Sequence, residues 1–184
     1  VLATLAVELA SAGQAVRIVT GDRDLFQIVR DRVDVMFVGA RGRKPMIYDR
    51  AAVERRYGLR PDQLPSRTAL AGDVTDNLPK VAGIGERGAE ALVRSFGDVH
   101  SLLSQLSNVT PTRLREALQR AADQIRSTEA LARLRQDVPL PDGPRHAPLN
   151  QESLLRLRAL FNELEFRSLL LRLEELSPTT RRRI

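Results

Sequence analysis

The sequence of 184 residues contains no cysteine and no tryptophan, and aromatic residues make up only 4% of it. Without cysteine, the chain cannot form disulfides, hold zinc through thiolates or use a thiol nucleophile. So few aromatic rings argue against nucleic-acid recognition by base stacking. No apolar run approaches the roughly 18 residues that a membrane span needs. These absences favour a cytoplasmic protein without a membrane partner.

Positive charge is in excess over negative charge. The formal net charge is +6, in a composition of 42% hydrophobic and 28% charged residues that is ordinary for a folded domain. The excess favours a polyanionic partner, because lysine and arginine that neutralise phosphates release condensed counterions. Arginine used simply as a surface charge explains the same composition equally well, so both interpretations stay open.

The chain begins at Val1 within an amphipathic pattern. Apolar residues at helical spacing start immediately, and no capping residue comes before them. We therefore expect the sequence to be a fragment that lacks an N-terminal part.

Helices and strands are predicted to alternate over residues 1–60, which indicates an α/β fold with a mostly parallel sheet and a hairpin at one edge. Apolar periodicity, a cap at Asp49 and stop signals at Gly13 and Gly58 set the bounds. The predicted elements are a helix over 2–12, strands over 15–19 and 33–38, a helix over 24–29, a basic turn over 39–45, a hairpin strand over 46–48 and a helix over 49–57.

Beyond Pro61 the patterns predict helices alone. They fall near 61–71, 86–95, 98–106, 111–135, 151–162 and 166–175. A proline-rich stretch over 138–148 indicates a linker. The predicted organisation is an α/β core over 1–60, a helical region over 61–135, a linker with C-terminal helices that pack back on the core over 136–176, and a disordered tail over 177–184.

The carboxylates that could carry chemistry come in two pairs. Asp22 and Asp24 follow an apolar strand, and sites in open α/β sheets form at the carboxyl ends of strands. Two residues apart in extended chain, their side chains point to the same side. Carboxylate oxygens are the ligands that Mg²⁺ and Mn²⁺ prefer. The simpler explanation is that Asp22 caps the following helix and Asp24 lies in its first turn.

The second pair, Asp73 and Asp76, lies in a segment rich in glycine, aspartate and asparagine that follows a predicted helix. Aspartates three residues apart can converge on one cation if the segment makes a helical turn, whereas a polar turn is the simpler interpretation. Two such pairs in a basic protein, with no other catalytic pattern, indicate phosphodiester hydrolysis by metal ions. In that chemistry the ions activate water and stabilise the reacting oxygens.

A glycine-rich segment over 83–88 has the G-x-G-x-x-G spelling of dinucleotide-binding loops. Such loops require a strand immediately before the glycines, and here the preceding segment contains a proline and no strand pattern. A helix–hairpin–helix explains the segment better, because the N–H groups that open the next helix can bind a DNA phosphate. Lys80, Arg87 and Arg94 would add positive charge. An ordinary loop between packed helices is the alternative.

Three motifs follow one another in the chain: Thr20-Gly-Asp-Arg-Asp-Leu25, Ala69-Leu-Ala-Gly-Asp-Val-Thr-Asp-Asn-Leu-Pro79 and Val81-Ala-Gly-Ile-Gly-Glu-Arg87. In this order they resemble successive signatures of the bacterial 5′→3′ exonuclease family. That family includes the N-terminal nuclease domain of DNA polymerase I and the flap endonucleases. The resemblance covers about residues 1–175.

The resemblance implies a PIN-like α/β domain, a helical region with a helix–hairpin–helix, and two bound divalent ions, Mg²⁺ or Mn²⁺. The residues that match the family's catalytic and metal-binding aspartates are Asp22, Asp24, Asp73 and Asp76. The hairpin residues expected to bind DNA are Lys80, Val81, Gly83, Ile84, Gly85, Arg87 and Gly88. Backbone carbonyls of such a hairpin can also hold a monovalent cation.

The sequence departs from the family at several points. The family's first strand with its aspartate, its basic helical arch and an acidic cluster expected just before Val1 are absent from it. Lys80 replaces a usual glycine, and Ser66 and Thr68 stand where aspartate and lysine are expected. The four aspartates are therefore predicted to form only part of the acidic cluster, which leaves open whether the chain cuts DNA by itself.

The function implied by the resemblance is that of a 5′→3′ exonuclease or flap endonuclease. It would act as a monomer on duplex DNA with a 5′ end or flap, in replication and repair at the bacterial nucleoid. Whether a polymerase domain follows stays open. The alternative is a helix–hairpin–helix module that binds duplex DNA without cutting it.

Overall fold

The computed structural model describes residues 1–39, 44–141 and 150–175. The chain folds as two compact units, Val1–Leu140 and Pro141–Ile184. Within the described ranges the fold is mixed α/β, mostly helical with one small sheet, which confirms the predicted fold class. No helix in these ranges is both long enough and apolar enough to cross a membrane.

The sheet has three strands in the order β1-β2-β3, with β1 over Val16–Thr20, β2 over Val33–Phe37 and β3 over Met46–Tyr48. β1 and β2 run parallel, with Val16 paired to Val33. β3 runs antiparallel to β2, with Tyr48 opposite Val35. The predicted parallel pair and edge hairpin are therefore confirmed. The predicted basic turn over 39–45 lies largely outside the described residues.

The helices of the described residues are α1 over Leu2–Ser11, α2 over Arg50–Tyr57, α3 over Leu64–Ala71, α4 over Glu86–Phe96, α5 over Val99–Ser104, α6 over Thr112–Arg120, α7 over Ala122–Ala132, α8 over Gln151–Glu163 and α9 over Arg167–Glu175. Local signals set several of these bounds. The Asp49 carboxylate accepts a hydrogen bond from the Ala52 N–H at 2.7 Å and caps α2, which ends at Gly58 in the left-handed conformation. A 3₁₀ turn over Pro61–Gln63 leads into α3.

Two predicted helices differ from those observed. The predicted helix after Asp22 is a 3₁₀ turn over Asp24–Ile28, because the chain becomes extended again after five residues. The single helix predicted over 111–135 is broken at Ala121 into α6 and α7. Leu118 and Ile125, one on each side of the break and both fully buried, belong to the same apolar cluster.

Two apolar clusters form the core of the first unit. One packs against the sheet and includes Phe26, Val35 and Val53. The other is built by α3 to α7 around Leu70 and Val93. Tyr57, at the end of α2, packs against both clusters. Because each buried side chain of this size contributes roughly 1.5–3 kcal/mol, these contacts hold the sheet and the helical region in a fixed arrangement.

The described part of the second unit consists of α8 and α9, which pack on each other. The ring centroids of Phe161 and Phe166 lie 6.2 Å apart at the turn between them. Packing of these helices on the α/β core stays a prediction. The predicted linker over 138–148 and the predicted tail over 177–184 fall mostly or wholly outside the described residues.

Candidate metal centre

A cavity of about 720 Å³ lies in the first unit, where residues that follow β1 meet residues of α3 and the loop after it. Its lining includes all four predicted aspartates, Asp22, Asp24, Asp73 and Asp76. The fold thus brings together two pairs that are far apart in the sequence. The cavity lies at the carboxyl end of the parallel strand β1, where open α/β sheets place their sites.

Asp22 and Asp24 are positioned by a tight turn rather than by extended chain. β1 ends at Thr20, whose hydroxyl accepts a hydrogen bond from the Asp22 N–H at 3.0 Å. The Asp22 carboxylate accepts one from the Asp24 N–H at 2.9 Å, and Arg23 between them has helical backbone angles. The expectation that both side chains align because the chain is extended is therefore wrong. Asp22 also bonds the first N–H of the 3₁₀ turn, as the capping interpretation expected.

Gln27 connects the turn that carries Asp24 to the end of α7 and the residues that follow it. Its side chain is buried, its Nε2 donates to the carbonyl of Ala132 at 3.0 Å, and its Oε1 accepts from the Leu134 N–H at 2.9 Å. No pattern in the sequence indicates this role, because a glutamine within an apolar run belongs to no motif and its partners lie more than 100 positions further along.

The loop from Gly72 to Leu78 presents the second pair. The backbones of Asp73 and Leu78 exchange hydrogen bonds of 3.1 and 2.8 Å, which close the loop. The Asp73 carboxylate accepts hydrogen bonds from the N–H and the hydroxyl of Thr75 at 2.8 and 2.6 Å. These bonds form a turn of the kind that aspartate favours. Asp76 lies within this turn and is exposed.

The surroundings of the cavity shift the pKa values of two of its carboxylates, Asp24 and Asp73. Burial raises the pKa of Asp24 to about 6, with further contributions in the same direction from neighbouring carboxylates. Asp22 is the largest of these contributors, followed by Asp76 and Asp73. Hydrogen bonds from Thr75 lower the pKa of Asp73. A divalent cation offsets such repulsion and prefers carboxylate oxygens, so this set of donors fits Mg²⁺ or Mn²⁺.

The arrangement of these donors is looser than a closed metal site. Among the described residues, no three acidic or imidazole side chains are arranged to hold one ion. Asp76 is among the carboxylates that raise the pKa of Asp24, so the two pairs lie close enough to interact electrostatically. The prediction that the four aspartates form only part of an acidic cluster stays a prediction.

Replacing Asp24 with asparagine is expected to raise the free energy of unfolding at pH 8 in EDTA by about 1 kcal/mol, after allowance for solvent screening. The folded-state pKa of Asp24 lies above the ordinary value of 3.8. The folded chain therefore holds a proton that the unfolded chain has released, and its stability falls as the pH rises from about 4 through about 6. The variant avoids this loss.

Urea unfolding of wild type and Asp24→Asn at pH 4 and pH 8 measures the effect. The difference in free energy of unfolding between the two proteins should be small at pH 4 and largest at pH 8. An equal difference at both values would show that the Asp24 charge is not the cause. Asp62→Asn is the matched control, because Asp62 is exposed and paired with Arg60 outside the cavity.

The predicted DNA-binding segment joins the acidic loop to α4. Val81 and Ile84 are only 1% and 3% exposed, and the Val81 N–H donates to the carbonyl of Leu70 at 3.0 Å. These two side chains anchor the segment in the helical cluster, so they can offer DNA only backbone groups. The predicted residues that are exposed are Lys80, Gly83, Gly85, Arg87 and Gly88.

The amino end of α4 offers free N–H groups next to this segment. The helix begins at Glu86 after Gly85, which has no side chain to cap it. The first amides of a helix lack an intrahelical acceptor, and together with the helix dipole they favour an anion. Arg94 is engaged elsewhere, since its Nε donates to the carbonyl of Gly58 at 3.1 Å. The interpretation as a helix–hairpin–helix stays a prediction.

Arg67, which the motifs did not single out, lies between the cavity and α4. Its guanidinium lies 3.2 Å from Glu86, 3.0 Å from Glu90 and over the ring of Tyr57. Thr68, where the family resemblance leads us to expect lysine, lines the cavity without a charge. Arg67 is therefore the sequence neighbour of the position at which the resemblance implies lysine, and its own charge is paired with the two glutamates of α4.

Comparison with known proteins relates the chain to nucleases and polymerases. The family described as 5′-3′ exonuclease, C-terminal SAM fold, matches residues 59–153. The chain is 39% identical to thermostable DNA polymerase I of Thermus thermophilus over 172 residues, which are 92% of this chain and 20% of that protein. It is 38% identical to DNA polymerase I of Chloroflexus aurantiacus over 169 residues, 90% of this chain and 18% of that protein. The chain thus spans about a fifth of the length of these relatives.

Solved structures share the fold. The T5 D15 protein co-crystallised with metal ions aligns with a TM-score of 0.62 at 21% identity, over 71% of this chain and 48% of that chain. The catalytic core of Rad2 in complex with DNA substrate aligns with a TM-score of 0.51 at 17% identity, over 88% of this chain and 56% of that chain. The family match covers just over half of the sequence. The chain therefore belongs to the 5′-3′ exonuclease family and is homologous to the N-terminal part of bacterial DNA polymerase I.

Proposed function

We propose that this chain is part of a metal-dependent 5′→3′ exonuclease or flap endonuclease that hydrolyses phosphodiester bonds at DNA 5′ ends. The observation that carries the proposal is the convergence of four aspartates, from two separate motifs, on one cavity. Membership of the 5′-3′ exonuclease family and structural similarity to T5 5′-exonuclease support it.

The residues proposed to hold two ions of Mg²⁺ or Mn²⁺ are Asp22, Asp24, Asp73 and Asp76. Divalent zinc is bound in one structure of T5 5′-exonuclease, which supports a divalent ion here. When bound, such ions supply Lewis-acid activation of water and stabilise charge on the reacting oxygens. Asp24, whose pKa is raised to about 6, would lose its proton as a cation binds.

The proposed substrate is duplex DNA with a 5′ end or a 5′ flap. The exposed glycines before α4 and the free amides at its start are placed to receive a backbone phosphate, with Lys80 and Arg87 beside them. A monovalent cation at this hairpin is part of the proposal. We also infer bacterial cytoplasm as the location and a polymerase domain in the whole protein, because the relatives are DNA polymerases I.

Replacing Arg87 with glutamine is expected to weaken duplex binding about 3- to 10-fold at low salt. The slope of log affinity against log salt concentration should fall by about one, because one phosphate contact is lost. The matched control is Arg50→Gln, since Arg50 lines a separate cavity at the amino ends of β1 and β2. Fluorescence anisotropy of a labelled duplex measures both quantities. An unchanged slope for Arg87→Gln would show that this side chain does not touch phosphate.

A non-catalytic duplex-binding module is the second candidate. It is favoured by the finding that, in the described part of the chain, no three acidic side chains are arranged for one ion. Incubation of this chain with a 5′-flap duplex in Mg²⁺, Mn²⁺ or EDTA separates the two. Metal-dependent cleavage that Asp73→Ala abolishes supports the nuclease, and salt-sensitive binding without cleavage supports the module. Cleavage that survives loss of all four aspartates excludes the proposed site.

A further inference from the structure

A cluster of four aromatic rings lies beside the acidic cavity. Its members, called the aromatic cluster below, are Phe26, Phe37, Tyr48 and Tyr57. Ring centroids within it are separated by 4.4 to 6.3 Å. The rings come from the 3₁₀ turn after β1, from β2, from β3 and from α2, so two strands and two neighbouring elements build the cluster. Phe37 and Tyr57 line the cavity.

Three arginines of the cavity lining lie over rings of this cluster: Arg67 over Tyr57, and Arg23 and Arg56. The guanidinium carbon of Arg23 lies 5.7 Å from the centroid of Phe37. That of Arg56 lies 5.4 Å from the centroid of Tyr57 and 5.9 Å from that of Tyr48, and its Nη1 donates to the Tyr48 hydroxyl at 3.2 Å. Both side chains are exposed and line the cavity. A guanidinium held against ring faces keeps most of its five N–H donors available.

Neither of these arginines is neutralised by a carboxylate in the described ranges. Arg67, the third arginine of the cavity, differs because Glu86 and Glu90 pair with it. Arg23 and Arg56 therefore present positive charge and open donors at the edge of a cavity that otherwise carries four carboxylates. A phosphodiester that approaches those carboxylates is repelled by them, and guanidinium groups offset that repulsion with paired N–H···O bonds.

We propose that Arg23 and Arg56 bind a phosphate of the DNA strand that enters the acidic cavity. The inference rests on the proposed nuclease function and adds the residues that hold the strand there. Arg23 stands between Asp22 and Asp24 in the sequence, so a phosphate on Arg23 lies next to the metal-binding carboxylates. The aromatic cluster restricts both side chains before DNA arrives, which lowers the entropy lost on binding.

Arg56→Gln is expected to weaken binding of a 5′-flap duplex about 5- to 10-fold and to lower its salt slope by about one. The matched control is Arg55→Gln, because Arg55 is the neighbouring exposed residue of α2 and does not line the cavity. Anisotropy in EDTA reads the affinity without cleavage. Arg56→Lys keeps the charge, so it should retain most of the salt slope while losing paired hydrogen bonds.

Arg23→Gln is the second variant, chosen because the Arg23 side chain is exposed and its loss leaves the Tyr48 and Tyr57 contacts intact. Thermal unfolding of each variant checks that the fold is retained. In Mg²⁺, both variants should raise KM for the flap more than they lower kcat. Equal affinity and equal salt slope in wild type, Arg23→Gln and Arg56→Gln overturn the inference, whether or not the chain cuts. If the wild type does not cut in Mg²⁺ but both variants bind the flap duplex less tightly, the proposed catalysis is overturned and the phosphate contact is supported.

Discussion

Replacing Asp73 with asparagine should lower metal-dependent cleavage of a 5′-flap duplex by about 100-fold or more. Asp73 lines the cavity with the other three aspartates, and the bonds from Thr75 hold its pKa below the usual range. It is therefore ionised at any working pH and offers a full negative charge to a cation. Asparagine retains the oxygen that accepts the Thr75 bonds, so the turn is kept while the charge is lost.

Rates at saturating Mg²⁺ and at limiting Mn²⁺ measure this effect, since a weakened site loses more at limiting metal. Asp62→Asn serves as the control because Asp62 lies outside the cavity and pairs with Arg60 on the surface. Cleavage by Asp73→Asn at more than about a tenth of the wild-type rate would contradict a role in binding catalytic metal.

The largest expected effect on stability belongs to Gly72, which starts the acidic loop. Gly72→Ala should lower the free energy of unfolding by about 3 kcal/mol. Gly72 has φ of 72° and ψ of 174°, a conformation that residues with a Cβ rarely adopt. A Cβ there would lie 2.7 Å from the Leu78 carbonyl oxygen and 2.8 Å from the Lys80 amide nitrogen. Both are backbone atoms, so relief requires moving the loop.

Thermal unfolding should show this loss as a fall in Tm of about 6–12 °C for a chain of this size. The control is Gly88→Ala in the first turn of α4, where a Cβ would meet only Ile84 at an ordinary 3.6 Å. Alanine favours helix over glycine, so this variant should be neutral or slightly stabilising. If Tm falls no further for Gly72→Ala than for Gly88→Ala, the backbone of the acidic loop does not exclude a side chain at Gly72.

Gly72 also links the two segments for which functions are proposed. The backbone of Leu78 and Lys80 occupies the space that a side chain at Gly72 would need, so the loop that carries Asp73 and Asp76 lies against the start of the proposed DNA-binding segment. A shift in one segment therefore moves the other. If Gly72→Ala keeps the fold, we expect it to bind both metal and duplex less tightly, because the two segments contact each other at this residue.

The sequence predicted those elements of the fold whose signals are local. The parallel pair β1 and β2 follows from two apolar runs, and the bounds of α2 follow from the Asp49 cap and the Gly58 stop. The break at Ala121 could not be predicted, because no glycine or proline marks it. It arises from the packing of Leu118 and Ile125 into one cluster, which only the assembled fold defines.

The aspartates of the site were predictable because each pair lies within a motif whose order resembles a known family. Their local geometry was less predictable, since the turn at Arg23 replaced the expected extended chain. The polar side chains around these aspartates belong to no sequence motif. Gln27, Arg56 and Arg67 acquire their positions only when the sheet, α2 and α3 meet, and isolated polar residues in amphipathic segments resemble ordinary surface residues.

If four aspartates from two motifs form one metal centre, loss of a carboxylate from either pair weakens binding of the same ion. Isothermal titration calorimetry of the chain with Mn²⁺ measures this shared metal centre. We predict saturable binding to the wild type, an affinity lowered at least about tenfold in both Asp24→Asn and Asp73→Asn, and wild-type affinity in Asp62→Asn. Binding of Mn²⁺ by both cavity variants as tightly as by wild type, or no binding by the wild type, would contradict a shared metal centre.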